Sequence, residues 1–201
     1  MKYFLGCFFI ASFSFGCKSG TTIGKSWRDP STQIRVGHFN KILVVAFVKD
    51  SINRKKVEDE MVKSLGTRAV ASYQYLGNSE TSFTVDGLSN RLKADGIEGA
   101  VVMQLVNPER ELGYTPGSGN YPAQYNSFYN HYEGAGNTYR GREYYKNLNT
   151  YAVETNVYSL ADNKLIWSGI TSSYKPKDIN RLVSTIGKVV ISEMKKQGFL
   201  F

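Results

Sequence analysis

The chain has 201 residues, 41% of them hydrophobic, and a mean hydropathy of -0.33. That is ordinary for a globular protein and suggests one domain with appendages and a core of moderate size. The formal net charge of +8 favours anionic surfaces in general, but the basic residues are scattered rather than blocked, as on a solvated basic surface.

Met1-Lys2 precedes an apolar run from Tyr3 to Ala11 and a small-residue end at Ser12 to Cys17. This is the layout of a secretory signal peptide over 1–16, too short to span a bilayer, which needs about 20 residues. Ser14-Phe15-Gly16-Cys17 resembles the lipobox of bacterial lipoproteins, which implies acylation of Cys17 and attachment to a membrane through that lipid. The two cysteines of the chain, Cys7 and Cys17, both lie here, so a processed form would keep no free thiol, disulfide or thiolate metal site. Residues 17–40 then read as the lipidated cysteine and a polar tether broken by Gly24, Pro30 and Gly37, with Trp27 pinning the chain to the domain.

A single α/β domain is expected over 41–201. Within Lys41 to Asp50, the continuous apolar run Ile42 to Val48 predicts a strand buried on both faces. Ser51 caps a helix over 52–66 whose inner stripe is Val57, Met61, Val62 and Leu65, with Glu58 among the outward charges. A strand at 70–76 follows, then a helix at 85–95 with Leu88 and Leu92 inward and a second buried strand at 97–106. Strand-helix-strand-helix-strand implies a parallel portion of sheet.

From 107 to 147 the pattern breaks into a Tyr/Gly-rich insertion with almost no aliphatic residues. A segment of this kind cannot build its own core, and tyrosine supplies amphipathic contact area at small entropic cost. Tyr121, Tyr125, Tyr129, Tyr132 and Tyr139 are the candidate partner-contacting residues. The alternating segments 150–160 and 164–174 around Ala161-Asp162-Asn163 predict a hairpin, with Trp167 in the core. An amphipathic helix at 177–197 closes the chain, with Asp178 in its first turn and Lys195-Lys196 in its last. The expected fold is therefore α/β: a mixed sheet of about five strands with helices packed on it and a C-terminal amphipathic helix.

No catalytic residue, metal site or cofactor is expected. His38 and His131 have no zinc spacing, and no Gly-x-Ser-x-Gly elbow, Walker loop or Gly-x-Gly-x-x-Gly turn is present. The turn Lys49 to Arg54 stands at the carboxyl end of a strand, where open sheets bind ligands, although such residues more often cap the next helix. Arginines and aromatics mix at Tyr139 to Lys146 as in single-strand nucleic-acid binders, yet an exported protein would meet no nucleic acid.

The lipobox, Trp27 to Pro30, the strand at Lys41, the insertion and the hairpin from Tyr151 to Trp167 together resemble small lipoproteins of Gram-negative bacteria. The domain is similar in outline to the periplasmic domains of the curli-secretion lipoprotein and of lipoprotein activators of penicillin-binding proteins. Lys18, rather than Asp, after the lipidated position favours an outer-membrane lipoprotein, facing the periplasm or the surface. The resemblance implies a binding or assembly module rather than an enzyme, with an envelope protein or glycan as partner. The competing expectation is an envelope hydrolase or glycan-processing enzyme with a site gathered from separate loops.

Overall fold

The structure, a computed structural model, describes residues 20–32, 39–77, 84–106, 121–139 and 149–199. Cys17 and the whole of the expected signal peptide lie outside these residues, as do 18, 19 and 33–38 of the tether, with His38, and the remainder of the insertion.

The fold is mixed α/β. Six strands, β1 (Thr21–Arg28), β2 (Ile42–Phe47), β3 (Ala69–Ala71), β4 (Gly99–Val106), β5 (Thr150–Ser159) and β6 (Lys164–Tyr174), form one sheet in the order β1-β6-β5-β4-β2-β3. Strand β2 pairs in parallel with β3 and β4, and the other pairings are antiparallel. Helices α1 (Ser51–Leu65) and α5 (Ile179–Lys196) cover one face. The opposite face takes α2 (Ser72–Leu76), α3 (Val85–Ala94) and α4 (Phe128–Tyr139).

The two-sided cover explains why β2 is apolar at every position. Ile42, Val44 and Ala46 join the core under α1 and α5, while Leu43 and Val45 join the core under α3 and α4. Strands of this kind cannot alternate, because both faces are dry. Helix α1 is capped by Asp50, whose Oδ1 accepts from Asn53 N at 2.7 Å, one residue earlier than the expected Ser51 cap. In α5 the stripe Leu182, Val183, Ile186, Val190 and Met194 is buried, and the Asp178 side chain caps the helix through Arg181 N. Trp167 is fully buried, and its Nε1 donates to Gln197 Oε1 at 2.9 Å, fastening the end of α5 to β6.

Three features depart from expectation. The strand expected at 70–76 is only three residues long and turns into α2 at Ser72. The cause is Glu58, which points inward and is completely buried. Its carboxylate accepts from Ala46 N at 3.1 Å, Tyr73 N at 3.0 Å, Ser72 Oγ at 2.8 Å and Arg54 Nε at 3.0 Å. Glu58 shares the helical stripe of Met61 and Leu65, three and seven residues on, so spacing buries it although its charge argues for the surface. Burial raises its pKa, against the opposing pull of Arg54 and the donated hydrogen bonds.

The segment expected as tether carries β1, a sixth strand on the edge of the sheet. Its ladder with β6 is interrupted between Ile23 and Ser26, and its outer side is open to water, so no apolar alternation marks it. Trp27 is half-buried against the α3/α4-side core, as the pinning role requires.

The insertion, last, contains ordered elements: a short 3-10 turn at Ala123–Tyr125 and the whole of α4. It lacks aliphatic residues because it borrows the sheet's. Phe128 is fully buried among residues of the second core cluster and stacks edge-on against Tyr158 and Tyr129.

Candidate functional site

Strands β3 and β4 flank β2 on opposite sides, so the chain leaves β2 in one direction through α1 and later reaches β4 from the other. Open α/β sheets bind ligands at such a switch, outside the carboxyl ends of the parallel strands. In this chain the position is filled from within. The Phe47 ring at the end of β2 packs on His131 and Tyr132 of α4, at centroid distances of 5.2 Å and 6.1 Å.

Beneath α4 lies the most chemically loaded cluster among the described residues. Period-two alternation puts Glu154, Asn156 and Tyr158 of β5 on the α4 side of the sheet, and the register sets Gln104 of β4 directly opposite Glu154. Gln104 Nε2 donates to Glu154 Oε2 at 2.6 Å, and Tyr121 Oη donates to Glu154 Oε1 at 3.1 Å. Asn156 Nδ2 donates to Tyr121 Oη at 3.3 Å, while Asn156 Oδ1 is buried without a hydrogen-bond partner.

His131, on α4, closes the network. Its Nε2 is 3.2 Å from Gln104 Oε1 and its Nδ1 is 2.7 Å from Tyr158 Oη. Because Gln104 spends its amide on Glu154, its oxygen faces the ring, and Nε2 must donate to it. Tyr158 has one proton and two acceptors, His131 Nδ1 and Tyr125 O, the latter at 3.0 Å. If the proton goes to His131, the ring is neutral. If it goes to Tyr125 O, Nδ1 must donate too, and the resulting imidazolium faces the Glu154 carboxylate across Gln104. Burial, with the Tyr121 hydroxyl and the Glu154 charge adding to it, holds the Tyr158 phenol well above its ordinary pKa, so Tyr158 remains a donor.

The arrangement therefore offers the Tyr158 hydroxyl proton two acceptors. It cannot offer that proton outward while α4 stays in place, since His131 is 1%, Glu154 2% and Tyr158 0% exposed. The two His131 ring nitrogens tie α4 to Tyr158 of β5 and Gln104 of β4.

The expected contact tyrosines are distributed unevenly over this structure. Tyr121 and Tyr129 are buried in the same core as Phe128, Tyr125 is half-buried edge-on to the His131 ring, and Tyr132 is half-buried against Phe47 and Phe128. Tyr139 ends α4, and its side chain lies outside the described residues. The outward positions of the segment are instead Gln124, Asn126, Asn130 and Glu133. Sequence reading passed over Gln104, Glu154, Asn156 and Tyr158. Three polar side chains at every second position of a predicted core strand were the available signal, and they are intelligible only once the facing helix is known to carry His131. Among the described residues no three of His, Cys, Asp and Glu gather as a metal-ligand set, and no helix is long and apolar enough to cross a membrane.

Fold and site together define a three-layer α/β/α domain whose own insertion packs at the carboxyl end of β2. No protein-family model and no curated protein matches the chain. Among solved structures it is similar to a PelC dodecamer from Paraburkholderia phytofirmans, at 7% identity over 85% of this chain and 94% of that one, with a TM-score of 0.42. Lipoprotein GNA1162 from Neisseria meningitidis is similar at 9% identity over 78% of this chain and 96% of that one, with a TM-score of 0.40. Likeness at this level transfers no function.

Proposed function

We propose that the chain is a lipid-anchored module of the cell envelope that binds or assembles with other molecules and carries out no chemistry. The observation that carries this reading is where the domain begins. Strand β1 starts at Thr21, four residues after the lipobox cysteine Cys17, so an acyl group at that cysteine would stand at the root of the folded sheet. The closure of the His131 network supports the non-catalytic half of the reading, because its proton-carrying groups serve the interior. The partner is an envelope protein or a glycan, met on the outer side of the insertion, whose exposed positions include Gln124, Asn126, Asn130 and Glu133. The chain is an outer-membrane lipoprotein in this reading, facing the periplasm or the surface, and it needs no cofactor.

Metabolic labelling with a palmitate analogue tests the anchor. Wild type takes up label and sediments with membranes, and Cys17→Ala does neither; an unlabelled wild-type chain would overturn the reading.

The buried grouping of His131, Gln104 and Glu154 favours one alternative, an envelope hydrolase whose site opens when α4 lifts. Backbone amide exchange separates the two. If amides of 128–139 exchange as slowly as those of β4 and β5, the interior role stands; if they exchange far faster, the hydrolase gains.

A further inference from the structure

The register of the sheet brings several separated segments to one end of the domain. Thr21 pairs with Ser173, Thr150 with Tyr174 and Val106 with Ala152, while β2 ends nearby at Phe47, opposite Gln104. The connections Val48-Lys49-Asp50 into α1 and Lys175-Pro176-Lys177-Asp178 into α5 therefore share this end with the start of β1.

Among the described residues, the two large apolar side chains that are exposed both stand here: Ile52 at 64% and Tyr174 at 57%. Exposed lysines share this end. Lys175 Nζ lies 5.3 Å from the Tyr174 ring centroid, and Lys49 and Lys177 are open to solvent. The two acids of the same turns, Asp50 and Asp178, are engaged as helix caps, each accepting a backbone N–H of the first turn. Two helices thus begin at this end with their partial positive charges beside the lysines.

We infer that this end of the sheet is a membrane-docking face, seating Ile52 and Tyr174 in the headgroup region of a bilayer rich in anionic phospholipid, with Lys49, Lys175 and Lys177 on the phosphates. The inference rests on the acylation of Cys17 proposed above. Four residue steps from Cys17 to Thr21 span at most about 14 Å. That reach leaves this end within roughly one to two Debye lengths of the headgroups, where exposed lysines still feel an anionic surface. An amphipathic ring paired with a cation suits the interface between water and lipid. Docking here points the β5–β6 turn at Asp162 away from the bilayer.

The test uses the full acylated chain, its cysteine 17 blocked by lipid, carrying one added cysteine at Ile52→Cys, Tyr174→Cys or Asp162→Cys. Each is labelled with an environment-sensitive fluorophore and mixed with vesicles of phosphatidylcholine alone or with phosphatidylglycerol added. Labels at 52 and 174 should be shielded from a water-soluble quencher on the anionic vesicles only, and the label at 162 on neither. Each lysine near an anionic surface shifts partitioning about fivefold, so combining Lys49→Gln, Lys175→Gln and Lys177→Gln should weaken docking about a hundredfold while flotation with the vesicles persists. Flotation without shielding at 52 and 174, or shielding that ignores lipid charge, overturns the docking face and leaves the anchor standing. A chain that does not float overturns the anchor itself.

Discussion

Replacing Phe128 by alanine asks whether the tyrosine-rich insertion belongs to the core or merely rests upon it. The ring is completely buried between the sheet and its own helix, against Tyr129, Tyr132 and Tyr158. Withdrawing about 150 Å² of apolar surface from water is worth about 4 kcal/mol at 25 cal/mol per Å², and Phe→Ala changes in cores cost about 3–5 kcal/mol once the cavity is included. With a urea dependence of about 2 kcal/mol per M for a domain of this size, the unfolding midpoint should fall by about 2 M. Asn130→Ala, on the exposed side of the same helix, should move it by less than about 0.3 M. Equilibrium urea unfolding followed by far-ultraviolet circular dichroism measures both. A Phe128→Ala midpoint within about 0.5 M of wild type would refute the reasoning, because α4 would then lie outside the cooperative unit.

Three further outcomes follow from other parts of the structure. Glu58→Gln puts an amide NH₂ among four donors and leaves Arg54 without its buried counter-charge, so thermal unfolding should reveal a loss of about 2–4 kcal/mol. Gly187→Leu forces side-chain atoms into the α1–α5 crossing, where even a Cβ would come 2.6 Å from Ser64 Oγ; a loss of about 2–3 kcal/mol in the same assay is expected, and an unchanged melting temperature would mean that the helices can separate freely. Asp29, ion-paired to Lys164 at 2.8 Å and hydrogen-bonded to Ser31 and Thr32, has its pKa held well below the ordinary 3.8 even though partial burial pushes the other way. A depressed carboxyl stabilises the fold above its unfolded pKa and loses that contribution as pH falls through the folded one. The stability gap between wild type and Asp29→Asn should therefore be constant above about pH 5 and close steadily below pH 4 in a pH series of urea midpoints.

These predictions follow the line between what was legible in the residues and what was not. Strand β2 and helices α1, α3 and α5 could be read because each carries its own signal: a run too apolar for a wet face, or a stripe at three and four residues. The hairpin announced itself by alternation around Asn163, which adopts φ 48° in the turn. Strand β1 and helix α4 carry no such signal. The first is polar and becomes a strand only because β6 presents an unpaired edge; the second is built from Tyr, Asn and Gly and becomes a helix only because the sheet supplies an apolar surface for Phe128.

The candidate site divides in the same way. The sequence alone determined that the chain can form a doubly covered α/β sheet, that its two cysteines sit in one amino-terminal segment, and that no familiar catalytic motif is present, since all of these depend on neighbouring residues. Tertiary structure alone decided that Glu154 is interior, that Gln104 faces it and that His131 closes over both. Those facts join residues up to 50 positions apart, as Gln104 and Glu154 are, and local propensity contains no information about which polar side chain will meet a partner after the strands align. The cost of burying a carboxylate is cancelled only by donors that arrive from elsewhere in the chain, so its place cannot be read before the fold is known.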